Sequence, residues 1–198
     1  SRAFLKCRCF RCVAVRGMKS MDRIKETAES IRLVKASAEH AQLLFEILGG
    51  VNTRKYSPVS KVSLEELADR LEKSGRSFSE QSQFYRFFGE YKAALFGTFI
   101  VKNIQWLNKE AEIGFSLLDE WQGQGLGSAL VYKCVSKIFN ESAIELIWAT
   151  VSVTNDPCQR LMRSLGFKDC GFYKEPFLIN GDPVNQTLYR MSREQAKS

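Results

Sequence analysis

One short stretch constrains this chain more than any other: Gln122-Gly123-Gln124-Gly125-Leu126-Gly127. It follows a strand-like run, Glu112-Ile113-Gly114-Phe115-Ser116-Leu117, and opens an amphipathic helix expected from near Gly125 to about Asn140. A glycine-rich turn feeding a helix N-terminus is an anion site. Several backbone N–H groups point one way, and the helix dipole adds partial positive charge. Three glycines at alternate positions let the backbone approach a bulky polyanion closely. The expected ligand is a pyrophosphate-bearing cofactor; the alternative is a tight strand–helix connection with no ligand. A P-loop would need Gly-Lys-Ser/Thr at its end, but Gly127 is followed by Ser128-Ala129. A dinucleotide fingerprint needs G-x-G-x-x-G, whereas the spacing here is G-x-G-x-G.

The surrounding pattern narrows the choice. A strand rich in Ile, Val, Trp and Thr is expected over 144–153. Asn155-Asp156-Pro157 then starts a helix over 156–164 that closes in Leu165-Gly166-Phe167. Upstream, a first strand is expected near 30–35. Ser37 can cap a following helix with Ala41, Leu44, Phe45 and Leu48 on one face, ended by Gly49-Gly50. Ser63 and Glu66 form a capping box for a second helix carrying Leu64, Leu67 and Leu71, and 74–83 reads as a loop. Paired strands are expected over 84–91 and 94–102, and another over 111–117. Two last strands, near 168–177 and 183–191, would join through the Asn180-Gly181 turn. Strands with crossover helices make a mixed α/β sheet.

The chain resembles the GNAT superfamily of acetyl-CoA-dependent N-acetyltransferases. Its Q/R-x-x-G-x-G/A signature is met by Gln122, Gly125 and Gly127, and its downstream Asn and Leu-Gly-Phe by Asn155 and Leu165-Gly166-Phe167. Glu112-Ile113-Gly114-Phe115 with Asp119-Glu120-Trp121 looks most like the ribosomal-protein-alanine (RimJ/RimL-type) branch, and the match covers roughly residues 30–193. The resemblance implies a single α/β domain: a mostly antiparallel sheet of about six to seven strands flanked by about four helices. It implies acetyl-CoA as cosubstrate. The N–H groups of Gly123, Gln124, Gly125, Leu126, Gly127 and Ser128 would hold its pyrophosphate beside Gln122. The strand backbone at Phe115, Ser116 and Leu117 would pair with the pantetheine arm, and Asn155 would bond its end. Asn155 could equally be a plain helix N-cap. Arg160 and Arg163 could assist the phosphates or simply be solvated.

Acetyl transfer to an amine is attack of a neutral nitrogen on a thioester. Positioning supplies much of the effect. A base must also take a proton from an ammonium of pKa near ~10, and the departing thiolate benefits from an acid. The RimI-type branch has Glu five residues before the Asn and Tyr seven after it. Thr150 and Met162 stand there, so that mechanism does not transfer. The RimJ/RimL-type pattern has Ser three residues after the Asn, where this chain has Cys158, a candidate acid or a small buried residue. Glu112 is the preferred base candidate, since alternation puts it on one face with Gly114 and Ser116. A salt-bridged rim carboxylate is its alternative. His40 has a suitable intrinsic pKa, but a surface role is expected. The aromatics of 84–91, Trp106 and Trp121 are expected in core and rim.

Composition bounds the rest. No apolar run approaches the ~20 residues of a membrane span. The net charge of +7 comes mostly from residues 1–20, where Arg2, Lys6, Arg8, Arg11, Arg16 and Lys19 meet no acid. Of 29 basic residues, 23 then remain against 22 acidic ones, which offers no basic stripe for nucleic acid. Residues 1–20 are read as a transit peptide or a leader outside the fold, with Met18 or Met21 as the start and 21–198 as the domain. Cys7, Cys9 and Cys12 lack a nearby fourth ligand, so no metal is expected. Widely spaced Cys134, Cys158 and Cys170 suit free thiols in a reducing, cytoplasmic setting. The expected activity is N-acetylation of a protein N-terminus or small amine; a catalytically silent acyl-CoA-binding module is the alternative. An exposed edge strand could pair two copies into a homodimer.

Overall fold

Phe87 and Phe88 are neighbours in one strand, and both are buried. Successive strand residues point to opposite faces, so the sheet must be covered on both sides. In the computed structural model, which describes residues 10–58, 61–173 and 175–197, with side chains from Ser20 onward except that of Glu80, this is how the chain folds. Cys7 and Cys9, and the side chain of Cys12, lie outside the described residues.

Seven strands form the central sheet: β1 (Arg32–Lys35), β2 (Tyr85–Tyr91), β3 (Ala94–Gln105), β4 (Glu110–Leu117), β5 (Leu146–Ser152), β6 (Lys168–Phe172) and β9 (Gln186–Ser192). Their order is β1-β2-β3-β4-β5-β9-β6. All neighbours are antiparallel except β4 and β5. A separate two-stranded ribbon joins β7 (Phe177–Ile179) to β8 (Asp182–Val184). Asn180-Gly181 makes that turn, with φ of 53° and 91°. The hairpin expected between two long strands is therefore correct in its turn but not in its strands. Pro176 precedes β7 and Asn185 separates β8 from β9, so four strands replace two, and of these only β6 and β9 join the main sheet.

Six α-helices are described: α1 (Phe10–Glu29), α2 (Ala41–Gly49), α3 (Val51–Tyr56), α4 (Leu64–Glu72), α5 (Leu126–Glu141) and α6 (Asp156–Ser164). The face of Phe87, Phe99, Val101, Ala111, Ile113, Ile147 and Val151 packs against α1 and α5, with Met162 of α6. The opposite face, at Phe88, packs against Ala41, Leu44 and Ile47 of α2 and Leu67 and Leu71 of α4. The Ser63–Glu66 capping box forms in both directions, at 3.1 and 2.8 Å.

Two helices were not expected. The run after Gly50 continues as α3, one turn and a half, because Asp119 accepts the Val51 N–H at 2.9 Å and so caps it from another element. Helix α1 enters the stretch read as a leader. Ala28 is buried, Met21 and Ile24 pack on the core, and Lys133 of α5 donates to the Ala28 carbonyl at 2.8 Å. His40 is buried, not superficial: its ring stacks on Phe88 at 4.8 Å and 15°.

Candidate cofactor cleft and acceptor face

The parallel pair β4/β5 is brief. Glu110, Ala111 and Glu112 pair with Leu146, Ile147 and Trp148, and there the ladder stops. Beyond it β4 stays bonded to β3 as far as Leu117, and β5 to β9 as far as Ser152. The two strands part at their C-terminal ends and leave a V whose inner edges carry backbone N–H and C=O groups without strand partners. Unpaired backbone of this kind is a template for an extended polar chain.

The open end of the V leads to the glycine turn. Gly123 and Gly125 have φ of 74° and 81°, a region that side-chain-bearing residues avoid. An added Cβ at either would meet no atom within 4 Å, so the turn opens outward. Gly127 serves differently: a Cβ there would lie 3.2 Å from Leu161, where α5 crosses α6. No side chain caps α5 and its first turn holds no acid. Its first N–H groups therefore lack intrahelical acceptors and face the site. Leu126 is buried and anchors the turn; Gln124 is spent on the Glu120 carbonyl at 2.8 Å, and Ser128 is half-buried.

Gln122 holds the turn in place. Its amide donates to the Leu117 carbonyl at 3.1 Å and to Asp119 at 3.0 Å, and it accepts from Asn52 at 2.9 Å. The signature glutamine thus ties the turn to α3 with its side chain. Asp119 and Asn52 belong to the same support, and no sequence signal pointed to Asn52.

Across the V, Asn155 caps α6, accepting the Cys158 N–H at 3.2 Å, which leaves its NH₂ group without a described acceptor. Both readings of Asn155 remain compatible with this geometry. Arg160 is exposed, while Arg163 is engaged by Gln159 at 3.0 Å and Asp169 at 3.4 Å. Cys158 packs against the core, and burial pushes its thiol up to about 12.

Glu112 lies where the strands part, 7% exposed. Lys102 holds one oxygen at 3.1 Å and Asn103 the other at 2.6 Å. Next to it across the ladder stands Trp148, stacked on Tyr173 at 6.3 Å and 13°, and Tyr173 meets Phe177 edge-on at 5.9 Å. Sequence reasoning missed this aromatic row. Trp148 is distant in the chain from Tyr173 and Phe177, and it looked like any residue of a buried strand. Phe115, Ser116 and Leu117 line the β4 arm of the V.

The acetyltransferase (GNAT) domain family matches residues 30–168, and the chain belongs to that family. YdaF of Bacillus subtilis (strain 168), which carries a provisional name as a ribosomal N-acetyltransferase, is 25% identical over 105 residues, 53% of this chain and 57% of its own. The chain spans little more than half the length of the curated relatives it matches. The spermidine N-acetyltransferase of Vibrio cholerae, solved with CoA and spermine, superposes with a TM-score of 0.76 at 20% identity, covering 86% of this chain and 99% of that one. RimL, a ribosomal L7/L12 α-N-protein acetyltransferase solved with CoA, gives 0.72 at 19% identity, covering 82% and 94%. At such identities these likenesses establish the fold.

Proposed function

We propose that the chain transfers the acetyl group of acetyl-CoA to a primary amine by direct attack within a ternary complex. The observation that carries this reading is the parting of β4 and β5 in line with the uncapped, glycine-led start of α5. A pyrophosphate suits the N–H groups of 123–128, and an amide-rich arm suits the unpaired edge of β4. The thioester would then lie near the point of the V, beside Glu112 and Trp148.

The amine nitrogen attacks the thioester carbon, the C–S bond breaks, and the ammonium proton leaves to solvent through an ordered water. Glu112, with both oxygens already held by Lys102 and Asn103, orients that water or the amine. The Cys158 thiol, at about 12, is a weaker acid than an ordinary thiol of ~8.5, so it serves the leaving sulfur as a hydrogen-bond donor, not as a proton source. Arg160, exposed on α6, adds charge near the phosphates. No helix among the described residues is long and apolar enough to cross a membrane, and no described group of side chains could hold a metal. The free thiols Cys134, Cys158 and Cys170 suit a reducing compartment, which supports a cytoplasmic setting for this activity.

Calorimetric titration with acetyl-CoA tests the reading, run beside Gly125→Glu. The parent should bind in the micromolar range and the variant should not, because a carboxylate in the turn repels the pyrophosphate. Thiol release from acetyl-CoA across an amine panel follows. Binding with no transfer to any amine would make the chain a silent acyl-CoA-binding module; no binding by a folded parent would remove the cofactor site.

A further inference from the structure

Strand register sets a row of side chains across the acceptor face at the point where β4 and β5 part. Lys102 lies opposite Glu112, Glu112 opposite Trp148, Trp148 opposite Arg190, and Arg190 opposite Lys168. Register partners share a face, so all five stand on one side of the sheet. It is the side of Phe88, because Thr98, which pairs with Phe88, lies two and four residues from Ile100 and Lys102. Glu112 is the row's one acid, and Lys102 neutralises it at 3.1 Å. No described carboxylate pairs with Arg190 or Lys168, which leaves the row with surplus positive charge.

Two further observations have the same sign. Arg86, on this face of β2, is partly covered, and its guanidinium donates to the Thr98 hydroxyl at 3.0 Å with no described carboxylate partner. Burial lowers its pKa to about 10. A cavity of about 490 Å³ lies between the end of α3 and the β7–β8 hairpin, lined by Arg54, Ser57, Pro58, Lys61, Leu178, Asn180 and Gly181. Its described lining holds two cations and no acid. The hairpin begins at Phe177, the end of the aromatic row from Trp148, so this cavity lies on the acceptor side. The acids of α4 (Glu65, Glu66, Asp69) are exposed, away from Leu67 and Leu71 that pack inward.

We propose that the acceptor is a primary amine that itself bears negative charge, a carboxylate or phosphate group held by Arg54 and Lys61 in the field of the cationic row, and not a polyamine. This rests on the acetyl-transfer reading and names its substrate class. A cleft lined by one sign of charge concentrates ligands of the other, and two cations that can each bond an anion directly recognise it at close range. A polycation would meet the same field as repulsion.

The test is calorimetric binding to the full chain, with and without CoA, followed by acetyl-CoA turnover. The probes are a free-N-terminus peptide with glutamates at its second to fourth positions, its glutamine counterpart, phosphoethanolamine and spermidine. The glutamate peptide or phosphoethanolamine should bind at least about tenfold tighter than the glutamine peptide and spermidine, with affinity falling as salt rises. Preference between the two anionic probes tells a peptide acceptor from a small one. Arg54→Gln/Lys61→Gln should weaken the anionic probe about tenfold while keeping the parent's CoA affinity, which reports an intact fold; Arg54→Glu/Lys61→Glu should gain spermidine. Equal binding of the glutamate and glutamine peptides, tighter spermidine, an unchanged double variant, or no binding by either anionic probe overturns the proposal. Loss of the acetyl-transfer reading would show separately, as failure to bind acetyl-CoA with anion preference intact.

Discussion

Cys158 illustrates how one side chain's surroundings decide its chemistry. It follows the Asn-Asp-Pro start of α6 in the chain, but its thiol is packed against the main core, and burial holds its pKa near 12. Cys134, on the inner face of α5, is raised too, by burial that outweighs Lys137 and Lys133. Cys170 is exposed on β6. At pH 8, iodoacetamide should modify Cys170 at an ordinary rate and Cys158 roughly a hundredfold more slowly, read by peptide mass mapping. The raised values also set a pH dependence. The folded state keeps protons that the unfolded chain releases above ~8.5, so this stability is complete below that pH and falls as pH climbs toward 12. Thermal melts at pH 7 and pH 10 should show the loss, and Cys158→Ser should reduce it. Equal melts at both pH values would contradict the burial argument.

At the scale of elements, the notable coupling is between α3 and the glycine turn. Asp119 caps α3 through the Val51 N–H and meets Gln122 and Asn52 at 3.0 and 3.4 Å. One carboxylate therefore positions both the glycine turn and the start of α3. Asp119→Ala should cost about 1 kcal/mol, the worth of a helix cap, and lower Tm by about 2–4 °C. It should also weaken acetyl-CoA binding several-fold, where Gly125→Glu should abolish it. A shift in Tm with unchanged affinity would uncouple the two. Capping signals were legible where donor and acceptor are three residues apart, as at Ser63 and Glu66. They were not where the cap comes from Asp119, 68 residues from Val51.

For the whole molecule, the open question raised by the sequence is where the fold begins. Its charge pattern reads the basic stretch 1–20 as outside the fold, yet α1 runs from Phe10 to Glu29 across that boundary. Its second half packs on α5 through Met21, Ile24 and Ala28. We expect residues 21–198 to melt within a few degrees of the full chain. Removing α1 entirely, as 31–198, should lower Tm by about ten degrees, since it strips apolar cover worth about 3 kcal/mol. If 21–198 itself melts far below the full chain, the first 20 residues belong to the domain. Calorimetry on the three chains settles it.

Local units were legible in the amino-acid order alone: the glycine turn and the helix it opens, the Asn155 start of α6, the Ser63–Glu66 capping box, and the family resemblance. Each depends on contacts within a few residues or on backbone preferences that a residue type carries alone. The assembled sheet alone shows where β4 and β5 separate, that Glu112 is held by Lys102 and Asn103, and that Trp148, Tyr173 and Arg190 share one face. Those facts follow from strand order and register, set by packing between segments far apart in the chain, and no short-range pattern encodes them.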